Sequence, residues 1–370
     1  MNNIRRLAII CGGTGGHFYP GLAIARVFQE NKNFKACLFI GGHKVGNQAC
    51  EAKKYGVDVE EVKSAKLSKN PIKFIVFLIK FFQGYLYGKK LLKKFKPDAV
   101  LAMGSFTSVP ISISAVRTKI PLFLHDGNAL IGRANIFLSR WAKLIMTAFD
   151  PVNSSSLKCP HIVTGMPIRP EILKCQCSRE EAIIKLNHDF GSEFTPELKT
   201  VLVFGGSQGA ATINKVIPEV LSTLDKGKIQ IIHLTGKDDL HRIKKIYTDN
   251  SVKNIVLKHC DKMALLYLSA DLVICRSGGS TVSELIFFKK PAILIPYPLA
   301  SDLHQNFNAE IYLKLGLGEI VNNAECNQRT LQHAISAFLN KRFKMNECSL
   351  FSESLSNATE NIIKLINNRM

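Results

Sequence analysis

One short pattern occurs twice in this chain and limits what it can fold into. An apolar run at residues 7–11 leads into Gly12-Gly13-Thr14-Gly15-Gly16. Half a chain later, an apolar run at 200–204 leads into Gly205-Gly206-Ser207-Gln208-Gly209 and then a helical pattern near 211–224. Apolar runs of this length read as strands buried on both faces, and glycines let the backbone turn tightly from strand into helix. Further strands are expected at 36–40, 99–103 and 121–125 in the first half, and at 229–234, 255–257, 272–275 and 292–295 in the second. A helix is expected at 20–30, with Pro20 at its start. Short apolar strands alternating with helices predict parallel sheets covered on both sides, hence two similar doubly wound α/β domains in tandem. The segment 150–170, with Pro151, Pro160, Pro167, Pro170 and a serine cluster, suits the junction, and the domains are placed at 1–165 and 166–350.

Composition fits such a fold. The 370 residues are 46% hydrophobic and 21% charged, which excludes disorder, collagen and coiled coil. Lys and Arg exceed Asp and Glu by 20, which suggests an anionic partner: nucleic acid, a membrane surface or a phosphorylated ligand. Ten cysteines in a chain of this length do not form a disulfide scaffold. No CxxC occurs; Cys175 and Cys177, with Cys159 and His161 upstream, are the nearest approach to a zinc site. The run after Arg5 and Arg6 is too short for a signal peptide, and no apolar segment reaches the roughly 18–20 residues of a membrane span. The chain is expected to stay in the reducing cytoplasm.

The glycine turns bring backbone N–H groups to a helix start, where a phosphate can be held. A dinucleotide would need an acidic residue at the end of the second strand. The first domain offers Ile40-Gly41-Gly42-His43 there and the second Leu234-Thr235-Gly236; neither loop ends in GKS or GKT. A dehydrogenase and a P-loop ATPase are therefore disfavoured. A third motif, Cys275-Arg276-Ser277-Gly278-Gly279-Ser280-Thr281-Val282-Ser283-Glu284, again turns from strand to helix. Thr281 and Glu284 have capping-box spacing; alternatively Glu284 accepts from the hydroxyls of a ribose. His17, at the first helix start, is either a partly buried or capping histidine or a general base kept neutral by the helix field. Arg169 either neutralises a departing diphosphate or is a solvated charge. Residues 72–82, IKFIVFLIKFF, have nine apolar positions of eleven and are followed by Lys89, Lys90, Lys93, Lys94 and Lys96. They read as a helix buried on its own sheet or, with this clustering of aromatics and lysines, as one lying on an anionic membrane.

Taken together, the two glycine turns with His17 and the segment 277–284 resemble the MurG family of bacterial N-acetylglucosaminyltransferases, from residue 7 to about 308. The resemblance implies a GT-B fold: two Rossmann-like doubly wound parallel-sheet domains with an interdomain cleft, and a terminal helix at about 351–370 returning to the first. It implies inverting transfer of N-acetylglucosamine from UDP-GlcNAc to the C4 hydroxyl of undecaprenyl-pyrophosphoryl-N-acetylmuramyl-pentapeptide, converting lipid I to lipid II. His17 would be the base. Thr14, Gly15 and Gly16 would lie near diphosphate and acceptor, Asn128 at the donor sugar, Arg169 and Ser207 on the donor, and Cys260 with Met263 at the uracil. Gly279, Ser280, Thr281, Val282, Ser283 and Glu284 would form the nucleotide-binding helix start, while Gln305 and Asn308 would read the sugar. No cofactor, metal or nucleic acid is implied. The expected partners are the two substrates, the anionic cytoplasmic leaflet through about 72–96, and other cell-wall synthesis proteins; the location would be peripheral, on the cytoplasmic face of the inner membrane. Met166, Asp126-Gly127 and His304 depart from the family's usual Asn, Glu-Gln and Gln. They leave room for a related transferase using another UDP-sugar or lipid acceptor.

Overall fold

The computed structural model describes residues 4–41, 45–62, 71–206, 211–236, 239–300, 303–340 and 355–370, with the side chains of 71–75 and 340 excepted. The chain forms two compact units, residues 1–169 with 353–370, and 170–352.

Among the described residues, the first unit is built on seven parallel strands: β1 (Arg6–Gly12), β2 (Lys35–Gly41), β3 (Asp58–Val62), β4 (Ala99–Ala102), β5 (Leu122–Asp126), β6 (Leu144–Thr147) and β7 (His161–Val163). Their spatial order is β3-β2-β1-β4-β5-β6-β7. The chain builds outward from β1 and then crosses back to lay β4 beside it, with Ile10 opposite Ala102. This reversal is the switch point at which doubly wound sheets open a crevice beyond their strand ends. One buried cluster fills the face that includes Phe18, Leu22 and Phe28, and a second includes Ile10, Val100 and Leu124.

Among the described residues, the second unit has six parallel strands: β8 (Lys199–Phe204), β9 (Ile229–Leu234), β10 (Asn254–Leu257), β11 (Leu272–Cys275), β12 (Ala292–Leu294) and β13 (Gly318–Ile320). Their order, β10-β9-β8-β11-β12-β13, repeats the scheme, with its switch point between β8 and β11.

Several expectations need correction. The first helix runs Gly15–Phe28, so it starts at the glycine turn and carries Pro20 inside it. Residues 161–163 are not linker but the edge strand β7, and Arg169 falls in the first unit, not the second. Four strands have no counterpart in the sequence reading: β3, β6, β7 and β13. The terminal helix Ala358–Asn368 packs on the first unit: Ile362 and Ile366 enter its core, and the Ile4 N–H donates to Asn367 Oδ1 at 2.9 Å.

The aromatic stretch belongs to one long helix, Pro71–Phe95. Gly88 lets it lie directly on the helix Val109–Arg117: a Cβ there would stand 2.9 Å from Ile111 Cγ1. Phe77, Leu91 and Leu92 are buried, while Val76, Leu78, Ile79, Phe82 and Leu86 stand 45–59% exposed. The reading of a helix buried on its own domain thus holds for one face, and the other face is bare. Among the described residues, no helix is long and apolar enough to cross a membrane.

Candidate active site

Each glycine motif sits at a switch point. In the first unit, Gly12 ends β1 and Gly104 follows β4, so the two loops emerge side by side. His17, in the first turn of Gly15–Phe28, packs against both: a Cβ at Gly12 would lie 3.2 Å from His17 Nδ1, and one at Gly104 would lie 3.3 Å from His17 Nε2. Gly104 also needs its left-handed backbone, φ +89°, which few other residues tolerate. Thr14 caps the helix in extended conformation, and its Oγ1 stands 2.8 Å from His17 Nδ1. Thr14 and Gly16 are exposed, and Gly15 and His17 half-buried.

The 126–135 loop closes the same side of the sheet. The buried Asp126 carboxylate accepts from the Asn128 N–H at 3.1 Å, the Gly132 N–H at 2.9 Å and Asn135 Nδ2 at 3.0 Å. Asn128 is thus held half-buried by its neighbour. His125, below, is 1% exposed, and burial pushes its pKa down to about 4, so the ring is neutral at neutral pH. Its Nε2 is 3.3 Å from the Gly165 carbonyl. The departures Gly127 and Met166 are coupled: a Cβ at 127 would fall 2.5 Å from Met166 Cε. Arg169 lies over the Tyr19 ring, with Cζ 5.0 Å from its centroid.

In the second unit, Phe204 stands opposite Cys275, so Gly205-Gly206 and Ser277–Gly279 leave adjacent strand ends. The helix Gly279–Phe287 is capped by Gly278, with no side-chain cap. This rules out the capping-box reading: Thr281 is already inside the helix, and Glu284 Oε2 accepts instead from the Tyr267 hydroxyl at 2.9 Å. Glu284, Ser280 and Thr281 are half-buried, whereas Gly279, Val282 and Ser283 are buried. Ser280 Oγ and Ser283 Oγ find no hydrogen-bond partner among the described residues. Ser277 Oγ donates to the Gln305 carbonyl at 2.8 Å, the Tyr297 N–H donates to Gln305 Oε1 at 2.9 Å, and Asn308 Nδ2 donates to the Ser277 carbonyl at 3.0 Å. Gln305 and Asn308 are thereby fastened to the start of the glycine motif; Asn308 is fully buried. Met263 begins the helix Met263–Ser269, with half-buried Cys260 just before it and Tyr267 on it; burial raises the Cys260 thiol pKa. Ser207 lies outside the described residues.

Sequence reasoning missed three parts of these sites. Gly104-Ser105 forms a further glycine turn at a strand end, and that placement alone could have revealed it. Asn135, fully buried, gives no local signal. Nor does Arg276, whose Nη1 donates to the Ile295 and Pro296 carbonyls and to Asn323 Oδ1 at 2.8–3.1 Å.

Two doubly wound parallel-sheet units, each with glycine turns meeting at its switch point, are the architecture of the GT-B fold. Residues 7–147 match the glycosyltransferase family 28 N-terminal domain and residues 200–366 the glycosyltransferase family 28 C-terminal domain; the chain belongs to this family. Among its relatives is the UDP-N-acetylglucosamine--N-acetylmuramyl-(pentapeptide) pyrophosphoryl-undecaprenol N-acetylglucosamine transferase of Geobacter metallireducens. That protein is 36% identical over 89% of this chain and 88% of its own length. The transferase of the same name from Francisella tularensis is 33% identical over 99% of both. A crystal structure of Acinetobacter baumannii MurG shares the fold, with a TM-score of 0.74 at 24% identity over 99% of this chain and 100% of that one.

Proposed function

We propose that this chain transfers N-acetylglucosamine from UDP-GlcNAc to the C4 hydroxyl of undecaprenyl-pyrophosphoryl-N-acetylmuramyl-pentapeptide, with inversion at the anomeric carbon. The observation that carries the reading is His17 packed against Gly12 and Gly104 at the first switch point, in a chain of this family.

The second unit holds the nucleotide. Backbone N–H groups at Gly279 and the following turn face the diphosphate, and the helix start adds partial positive charge. Glu284 accepts from the ribose hydroxyls, Cys260 and Met263 border the uracil, and Gln305 reads the sugar with Asn128. For His17 to act as base at Nε2, the neutral ring carries its proton on Nδ1, where Thr14 Oγ1 at 2.8 Å accepts it. The acceptor oxygen attacks C1 and its proton passes to Nε2. The bond from C1 to the phosphate oxygen breaks, and UDP leaves with the electron pair. Arg169 and glycine-loop amides stabilise the charge that develops on it. The lipid end of the acceptor is met at an anionic membrane surface by the bare face of Pro71–Phe95, whose apolar side chains are flanked by Lys80, Lys89, Lys90 and Lys93.

The test is a transfer assay with labelled UDP-GlcNAc and a short-chain analogue of the lipid acceptor. Labelled disaccharide-lipid is expected; transfer from UDP-galactose but not from UDP-GlcNAc would overturn the donor assignment.

A further inference from the structure

We infer that Tyr19 is a positioning residue for this reaction, the platform that holds the Arg169 guanidinium ready for the departing diphosphate. The inference rests on the proposed role of Arg169 and adds to it a residue with no other assignment. Tyr19 follows His17 by two positions on the same helix, so the two side chains leave on different sides of it. His17 turns to Gly12 and Gly104, while the Tyr19 ring lies 5.0 Å from Arg169 Cζ. The platform is anchored: Tyr19 meets Phe18 edge-on at 5.2 Å, Phe18 is 1% exposed, and Tyr19 itself packs on the first unit's core.

The other side of the pair is constrained too. Arg169 stands between the buried Ile168 and Pro170, with Pro167 one residue further back, so its backbone has little freedom. An aromatic face suits this task chemically. It attracts a guanidinium through the ring quadrupole and constrains the plane of the fork without itself carrying a charge. One helix thus carries the proposed base and the support of the proposed leaving-group cation, which fixes the two relative to one another within the first unit.

The experiment uses the full chain and measures transfer kinetics together with UDP affinity by calorimetry. Tyr19→Leu is expected to lower kcat/KM for UDP-GlcNAc and weaken UDP binding by about tenfold, the scale of one partly desolvated cation–π contact, with the KM for the acceptor unchanged. Tyr19→Phe keeps the ring face and is expected to restore both to within about twofold. In an Arg169→Ala background, Tyr19→Leu is expected to have no further effect. A melting curve checks that the Leu variant folds; Tyr19→Met carries the same test if it does not. Native UDP affinity in both apolar variants would overturn the inference, as would a Tyr19→Leu loss that persists in full without Arg169. Absence of UDP binding by the native protein is a different result and would remove the reading beneath it.

Discussion

His17 takes its proposed chemistry from its surroundings. Thr14 Oγ1 orients Nδ1, which also faces Gly12, and Gly104 makes room for the edge of the ring that carries Nε2. His17→Ala is therefore expected to reduce turnover about 10²–10⁴-fold, the usual value of a positioned base, with UDP affinity within about twofold of native. Near-native turnover would remove His17 from that role. The motif containing His17 was legible because backbone demands select glycine. The acid Glu284 was less so, because a Ser/Thr-x-x-Glu pattern says nothing about where a helix begins. At Ser178 and Glu181 the pattern is a true reciprocal cap, whereas at Thr281 and Glu284 the helix has already started at a glycine. The contact between Gly127 and Met166 lay beyond any local pattern, since the two meet only in the fold. Gly127→Gln is expected to destabilise by about 1–3 kcal/mol through overpacking, and by about 1 kcal/mol less in a Met166→Ala background; equal losses in urea denaturation would refute the coupling. Buried histidines give a pH signature. Burial holds His125 down at about 4 and His233 at about 3, against about 6.5 in an unfolded chain. Between those values the unfolded chain binds protons that the native one refuses, so stability is full above pH 6.5 and falls as pH drops toward 4. For His125 alone the loss is roughly 3 kcal/mol. A urea midpoint constant across that range would contradict it.

At the level of elements, legibility followed burial for most strands, with β6, buried and apolar yet unread, as the exception. The central strands β1, β2, β4, β5, β8, β9 and β11 are apolar runs, because a parallel sheet covered on both faces leaves them no polar side. The edge strands β3, β7 and β13 lack that signature, whereas the edge strand β10 keeps an apolar run. β3 reads Asp-Val-Glu-Glu-Val and is largely solvated, β7 is exposed at two of its three residues, and β13 has three residues, all half-buried. The helix Pro71–Phe95 was legible in composition but not in extent, since its second half is lysine-rich and its inner face is partly glycine. Gly88 marks where it must lie close to its neighbour. Gly88→Val is expected to cost about 1–3 kcal/mol, because the added carbons meet Ile111 backbone as well as side chain. The outer face makes a separate prediction. Phe82, 59% exposed, has little packing to lose. Phe82→Glu is expected to leave the melting temperature nearly unchanged while lowering binding to vesicles containing anionic lipid by tenfold or more, on the order of the apolar burial lost plus one adverse charge. Unchanged vesicle binding would take this face out of the membrane reading.

At the scale of the whole molecule, the tandem repeat in sequence became a repeat of topology: among the described residues seven parallel strands and six, each sheet growing outward one way and then the other from its first strand. The two units nevertheless divide the proposed work unequally. The first carries His17, Asn128, Arg169 and the bare helix face, and the second carries the glycine motif with Glu284, Gln305 and Cys260. This division predicts where a nucleotide will be felt. A ligand at a hundred times its Kd stabilises the unit that binds it by about 2.7 kcal/mol, and amides whose exchange needs that unit to open slow accordingly, by about a hundredfold. Adding UDP to the full chain is therefore expected to slow hydrogen exchange in β8, β11 and the helix Gly279–Phe287 by that order. The core of the first unit, at β2 and at the terminal helix Ala358–Asn368 that closes it, should change by about tenfold or less, since its opening loses only the contact that Arg169 is proposed to make. Protection concentrated in the first unit would place the nucleotide on the wrong half of the molecule and, with it, reverse the roles assigned to His17 and Glu284.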